Sequence, residues 1–277
     1  QALSEVRASY IADCGWATLT EAKKNFAERD ERLKAFRTYS KVILWFEHDL
    51  YDQLQMLQIL HWFSGQAQKN TALTMICTDQ YLGMIPPEKI TDLWPYEKDI
   101  TAAQLILATK AWAAFRESTP ELWAALLNEN TETLPFLNGA VLRLLEEYPS
   151  PKNGLSRTAQ KALEIIGAGE TCPIKIFKQY RETEERLFLG DWSFWQILNT
   201  LLDGENPLLH LKGGGLLSRP PEKDQILTIS PLGKTVLHGE KHAPPQPDHW
   251  IGGVHLSANV FWMWDAKKKV LQRKSHL

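Results

Sequence analysis

Lys41–Ser64 reads KVILWFEHDLYDQLQMLQILHWFS, and its two halves obey different periods. Val42–Phe46 is an unbroken apolar run of β-prone residues, the pattern of a strand covered on both faces as in a parallel sheet. From Leu50 the spacing turns helical: Leu50, Leu54, Leu57 and Leu60, with Trp62 and Phe63, line one face. A strand running straight into a helix is half of a βαβ unit, and Thr71–Cys77 (TALTMIC) supplies a second strand. The expected pairing is parallel and the crossover right-handed. The expected fold class is therefore α/β, a small Rossmann-like parallel sheet, joined to a mostly α remainder.

Between strand and helix stand Glu47, His48 and Asp49, with Asp52 and Gln53 in the first helical turn. Open α/β sheets bind ligands beyond the carboxyl ends of their strands, where loops lead into helix N-termini. Glu47, His48 and Asp49 are thus the acid–base candidates, because a buried strand end shifts pKa values. Asp52 and Gln53 are the ligand-binding candidates. A local reading competes with this one. Asp49 is a good N-cap, and Asp52 places a favourable charge in the first turn. Capping accounts for those two aspartates but not for five polar side chains crowding one strand end. No metal is expected there, since adjacent residues rarely all point at one ion.

Composition bounds the rest. The chain has 277 residues, 44% apolar and 23% charged, with a formal net charge of −2. That length is ample for a sizeable core, and that charge gives no bulk field toward nucleic acid or an anionic membrane. Cys14, Cys77 and Cys172 are far apart and form no CxxC pair, so neither a zinc knuckle nor a disulfide framework is expected, and a reducing cytoplasm fits. No apolar run is long enough to span a membrane. The eleven tryptophans imply large aromatic cores or contact surfaces.

Before the organising stretch, Ala2–Cys14 and Thr20–Phe36 read as helices, the second capped by Thr20. No strand precedes Val42. Two parallel strands cannot bury both faces, so either the C-terminal part supplies a partner or the natural protein starts further upstream. Pro86–Pro87 opens a short helix. Thr101–Arg116 follows with Thr101 and Gln104 as a capping box and Leu105, Ala108, Trp112 and Phe115 on one face. Further helices are expected from Thr119 to Asn128 and from Leu134 to Tyr148. Pro149–Gly154 is the best boundary. The expected division is an α/β portion over 1–98, a helical layer over 99–150, and a winged-helix-like domain with a C-terminal hairpin over 151–277.

That last assignment rests on order. Helices are expected over Ser156–Ile166, Pro173–Glu184 and Trp192–Asp203, then an extended Leu208–Leu211, a glycine-rich turn at Gly213–Gly215, and an extended Ile226–Ile229. A DNA-reading third helix needs basic side chains, whereas this one reads DWSFWQILNTLLDG. Residues 151–240 carry 11 Lys plus Arg and 11 Asp plus Glu, so the basic footprint of phosphate binding is missing. Nucleic acid is therefore the alternative partner and a packing or protein-contact role the first. Asp248–Asp265 (DHWIGGVHLSANVFWMWD) alternates like a hairpin turning near Ser257–Asn259, followed by a solvated basic tail. Its Gly252, Gly253 and His255 are candidates to close a ligand pocket.

The chemistry stays open. Gly213–Gly215 is no P-loop, and no GxGxxG, GxSxG or HExxH occurs. No cofactor is named by the sequence, and oligomeric state is not readable from it. By analogy with α/β sheets, the expected ligand is a nucleotide or another phosphorylated metabolite.

LWFEHDLYDQLQ resembles the signature of bacterial proteins catalogued as domain of unknown function 1835. TAAQL (Thr101–Leu105), LPFL (Leu134–Leu137), NGLSRT (Asn153–Thr158), GDWSFW (Gly190–Trp195) and DHWIGGVHL (Asp248–Leu256) look like the same family. The resemblance implies an α/β first part and a helical, winged-helix-like second part, with no settled activity. It also implies a further strand, a Gly-Asp turn and a Gly-Pro segment ahead of Gln1, pieces this chain does not carry.

Overall fold

The strand expected from Val42–Phe46 forms as β1 (Lys41–Phe46), and it pairs in parallel with β2 (Ala72–Cys77), Lys41 opposite Ala72 and Phe46 opposite Cys77. The structure is a computed structural model that describes residues 2–66, 70–245, 247–257 and 260–275. The chain divides into two compact units. One draws on residues 1–46, 65–78 and 82–101; the other takes residues 47–64, 79–81 and 102–277.

In the first unit the parallel pair gains a third member that the sequence reading did not supply. β3 (Lys98–Asp99) lies antiparallel to β2, with Thr74 opposite Asp99 and Met75 opposite Lys98. Two charged residues carry no hydrophobic alternation, so nothing in their pattern announces a strand. The middle strand β2 is the buried one. β1, expected to be covered on both faces, lies at the edge of the sheet and is only half-buried. Two helices precede it, α1 (Ala2–Asp13) and α2 (Leu19–Lys34). The cap of α2 is Thr18 rather than Thr20: its hydroxyl accepts the Glu21 N–H at 3.2 Å, and the Glu21 carboxylate accepts the Thr18 N–H at 3.1 Å.

The second unit begins at the residue that follows β1. α3 (Leu50–Ser64) buries Leu50, Gln53, Met56, Leu57, Leu60 and Phe63, and packs against α4 (Ala102–Arg116). The fully buried face of α4 is Leu107, Ala108, Ala111 and Ala114; of the expected face Leu105, Ala108, Trp112 and Phe115, Ala108 is buried and the other three are only half-buried. Three alanines let α3 approach closely, and the larger side chains fill the flanks. α5 (Glu121–Ala125) and α6 (Leu137–Leu145) complete this layer.

Beyond the Pro149–Gly154 turn come α7 (Arg157–Gly167), α8 (Pro173–Glu182) and α9 (Asp191–Leu202). Asp191 lies inside α9 rather than at its cap, which is Gly190. The antiparallel pair β4 (Leu209–Leu211) and β5 (Leu227–Ile229) follows, then α10 (Pro231–His238). Leu163, Ile176, Tyr180, Phe194, Leu198 and Val236 sit in their common core.

The C-terminal segment departs from expectation. It makes two hairpins, not one. β6 (His249–Ile251) pairs with β7 (Val254–Leu256) around Gly252–Gly253, and β8 (Val260–Asp265) pairs with β9 (Val270–Ser275). The basic tail is therefore partly a strand. Gly-Gly is a favoured two-residue hairpin turn, and Gly252 adopts φ +60°. Of the expected turn, Ala258 and Asn259 lie outside the described residues. The fold is thus mixed α/β with small separate sheets, one of which holds a parallel pair.

Candidate functional site

The turn Glu47–Asp49 is built by its own side chains. Asp49 Oδ1 accepts the N–H groups of Tyr51 at 2.8 Å and Asp52 at 3.2 Å, capping α3. Asp52 reaches back, its Oδ2 accepting the Glu47 N–H at 2.6 Å. Gln53 donates from Nε2 to the Glu47 carbonyl at 2.7 Å. Three of the five sequence-predicted polar residues therefore shape the turn that carries the other two. Burial pushes the Asp49 carboxyl above its ordinary range. The backbone N–H bonds from Asp52 and Tyr51 hold it back, while the Asp52 charge adds to the rise.

What the turn presents is His48. Its side chain is buried, with 7% of its surface exposed, and its ring packs against Tyr81 (centroids 4.9 Å apart) and Phe136 (5.8 Å). Its Nδ1 has no hydrogen-bond partner among the described residues. Burial lowers its pKa, the Arg186 charge lowers it further, and Asp79 opposes both. The imidazole is consequently neutral at pH 7 and able to accept a proton. Beside it, the Tyr81 hydroxyl accepts the Leu187 N–H, and burial raises its pKa.

His48 stands on the wall of a cavity of about 300 Å³, together with Gly139, Arg143, Glu146, Arg157 and Arg186 among others. Two of those arginines are saturated. Arg143 makes a bidentate pair with Glu184 (2.9 and 2.6 Å), meets Glu147 at 2.6 Å and Thr158 at 3.0 Å, and lies over the Phe188 ring. Arg157 holds Glu146 at 2.7 Å and Glu185 at 2.5 Å. Burial opposes the charge on each guanidinium, yet these carboxylates outweigh it and raise both pKa values.

Arg186 differs. Among the described residues it meets no carboxylate; it stacks over Phe136 and donates one long bond, 3.4 Å, to the Phe136 carbonyl. Its guanidinium approaches α6 at Gly139, where a Cβ would meet Arg186 Nη1 and the side chain would have to shift. Glycine in a helix interior costs roughly 1 kcal/mol relative to alanine, and here it leaves room for the guanidinium to approach.

The remaining sequence-predicted residues sit elsewhere in the fold. Gly252 and Gly253 turn the β6–β7 hairpin against the end of α4, where Gly253 N–H donates to the Phe115 carbonyl at 2.9 Å. Any Cβ at Gly252 would meet that same carbonyl. His255 is exposed, stacked on Trp250, with Nε2 3.2 Å from Asp248 Oδ2. Of the eight sequence-predicted residues only His48 lines the cavity; Glu47, Asp49, Asp52, Gln53 and these three do not. Arg186, Gly139 and Tyr81 were not singled out from the sequence. The readable hint was Gly139 itself, a lone glycine inside the helical run LNGAVLRLL.

Among the described residues, no group of three or more His, Cys, Asp or Glu side chains is arranged to hold a metal ion. No described helix is long and apolar enough to cross a membrane. No model of a known protein family matches the chain, and no curated protein matches it.

Proposed function

We propose that this protein binds a small molecule, as a binding protein or an enzyme, in the cavity presented by the Glu47–Gln53 turn. One observation carries the reading: His48 is buried on the cavity wall with a ring nitrogen left unpartnered among the described residues. A buried polar atom without a partner costs about 1–3 kcal/mol, so a histidine kept on this wall calls for a reason beyond packing. His48, neutral at pH 7, is the general base in this reading; Glu47, the other acid–base candidate, is not on the cavity wall. Asp49, Asp52 and Gln53 are positioning residues that fix the turn. Gly252, Gly253 and His255 do not line this cavity and have no part in the reading. The ligand class is a phosphorylated metabolite or nucleotide.

Thermal-shift screening with nucleotides, sugar phosphates and divalent cations tests this. A ligand that raises the melting temperature of wild type but not of His48→Ala is the expected result. The reading fails if nothing shifts wild type, or if His48→Ala and Asp49→Ala shift as wild type does.

Three finer readings accompany it. The order α7, α8, α9, β4, β5 supports a winged-helix-like arrangement, used for packing rather than DNA. Phe194, Trp195, Leu198, Leu201 and Leu202 of α9 are buried, and α9 carries no Lys or Arg. The motif resemblance to domain of unknown function 1835 supports a bacterial origin and a shared two-part plan. The free thiols of Cys14, Cys77 and Cys172 suit a reducing cytoplasm.

A further inference from the structure

We propose that the cavity is an oxyanion site, with Arg186 as its recognition group and a carboxylate or phosphate smaller than a nucleotide as its ligand. The inference rests on the reading above and names the chemistry of that same site. It stands on three observations. Arg186 is the cavity-wall guanidinium whose forked donors are not committed to a carboxylate among the described residues; Arg143 and Arg157 are both consumed by glutamates. The fork is held in place, stacked on Phe136 and laid on α6 where Gly139 removes the obstructing Cβ. The buried His48 ring stands on the same wall.

A planar guanidinium matches a carboxylate or phosphate bidentately, which is where arginine outperforms lysine. His48 adds one hydrogen bond, accepting from a protonated ligand oxygen or, in its other tautomer, donating to an unprotonated one. The volume, about 300 Å³, corresponds to roughly ten waters. That admits a short acid or a phosphomonoester, while a nucleotide enters only by its phosphate end. Charge around the site sets the affinity. Glu146, Glu147, Glu184 and Glu185 pair with only Arg143 and Arg157, so the neighbourhood holds an acid excess that Arg186 offsets in part. Recognition therefore depends on direct hydrogen bonds, not on a long-range field.

The test is calorimetric titration of the full chain with inorganic phosphate and, separately, with acetate, at constant ionic strength. Saturable binding of at least one anion is expected, weakened about tenfold or more by Arg186→Gln, the loss of one charge-assisted pair. Gly139→Ala, which keeps the charge but displaces the fork, also weakens it, whereas Arg219→Gln in the β4–β5 connection binds as wild type. The stronger of the two anions assigns the ligand as phosphate or carboxylate. The inference is overturned if neither anion binds wild type saturably up to about 10 mM, or if Arg186→Gln binds as tightly as wild type. A nucleotide whose thermal shift depends on His48 but not on Arg186 would overturn this inference and leave the broader reading standing.

Discussion

Replacing Arg143 by methionine should be among the most damaging single changes in the second unit. Arg143 is buried, and the Glu184 side chain it holds is 1% exposed. Methionine keeps much of the packing against Phe188 but removes the bidentate pair to Glu184, the bond to Glu147 and the bond to Thr158. Breaking a buried pair from one side costs about 3–5 kcal/mol, because the surviving charge stays buried without compensation. Here Glu184 keeps the Tyr180 hydroxyl at 2.6 Å and a distant Arg157 at 3.8 Å, and Glu147 is exposed enough to find water. The expected loss is therefore about 3 kcal/mol, at the low end, or about 6–12 °C in the melting temperature of a unit this size.

The decisive comparison is with Arg143→Met/Glu184→Gln. Neutralising the stranded carboxylate should restore about 2 of those 3 kcal/mol, since most of the damage is an unpaired charge and not a lost attraction. Urea denaturation read by near-ultraviolet circular dichroism measures both, with the two units fitted as separate transitions. If Arg143→Met stays within about 1 kcal/mol of wild type, or the double variant is no more stable than the single, then this network behaves as a solvent-screened surface pair and the buried-pair reasoning fails.

Other outcomes follow from the same geometry. Asp49→Ala should cost about 1 kcal/mol by uncapping α3, and Asp49→Asn a few tenths; because burial raises the Asp49 pKa, its ionised form costs stability as pH rises through that value, so Asn should compare better at pH 7 than at pH 3 in chemical denaturation. Gly139→Ala should be near neutral in wild type, the helix-propensity gain of about 1 kcal/mol being spent on displacing Arg186, and stabilising by about that amount in an Arg186→Ala background; equal effects in both backgrounds would remove the close-approach argument. His48 has a lowered pKa, so its contribution is intact above about 6.5 and is lost as pH falls from there through the folded value. Wild type should therefore lose stability relative to His48→Gln over that acid interval, and parallel curves would refute the shift.

The strand-to-turn-to-helix stretch was legible because three independent signals coincide in it: an apolar run, a change of period, and polar residues at the join. The parallel register of β1 with β2 and the burial of His48, Asp49 and Gln53 follow from them. What stayed illegible lacked a local pattern. β3 is two charged residues whose pairing exists only because β2 offers an edge. Arg186 sits in RETEERLFLG, which reads as an ordinary charged loop, and its distinction is that it meets no carboxylate among the described residues. The hairpins misread for a different reason. The alternation of Val254–Leu256 runs on into Val260–Trp264, and that continuity masked the Gly252–Gly253 turn that pairs β7 with β6 instead.

One substitution separates a ligand site from a well-made helix cap. Asp49 caps α3, and Asp52 and Gln53 tie the turn, so nothing in the capping requires histidine at position 48. The ring lies between Tyr81 and Phe136, surroundings that suit phenylalanine better, and the orphaned Nδ1 costs about 1–3 kcal/mol as it stands. His48→Phe should then stabilise the unliganded protein by about 1 kcal/mol, after some loss to the larger ring's fit. The same change should abolish the ligand response that wild type shows in thermal-shift screening. Greater stability bought with lost binding is the signature of a residue held for function. Should His48→Phe instead destabilise by more than about 1 kcal/mol with ordinary packing costs accounted for, the imidazole is a structural member of the turn, and the cavity beside it loses its strongest claim to a guest.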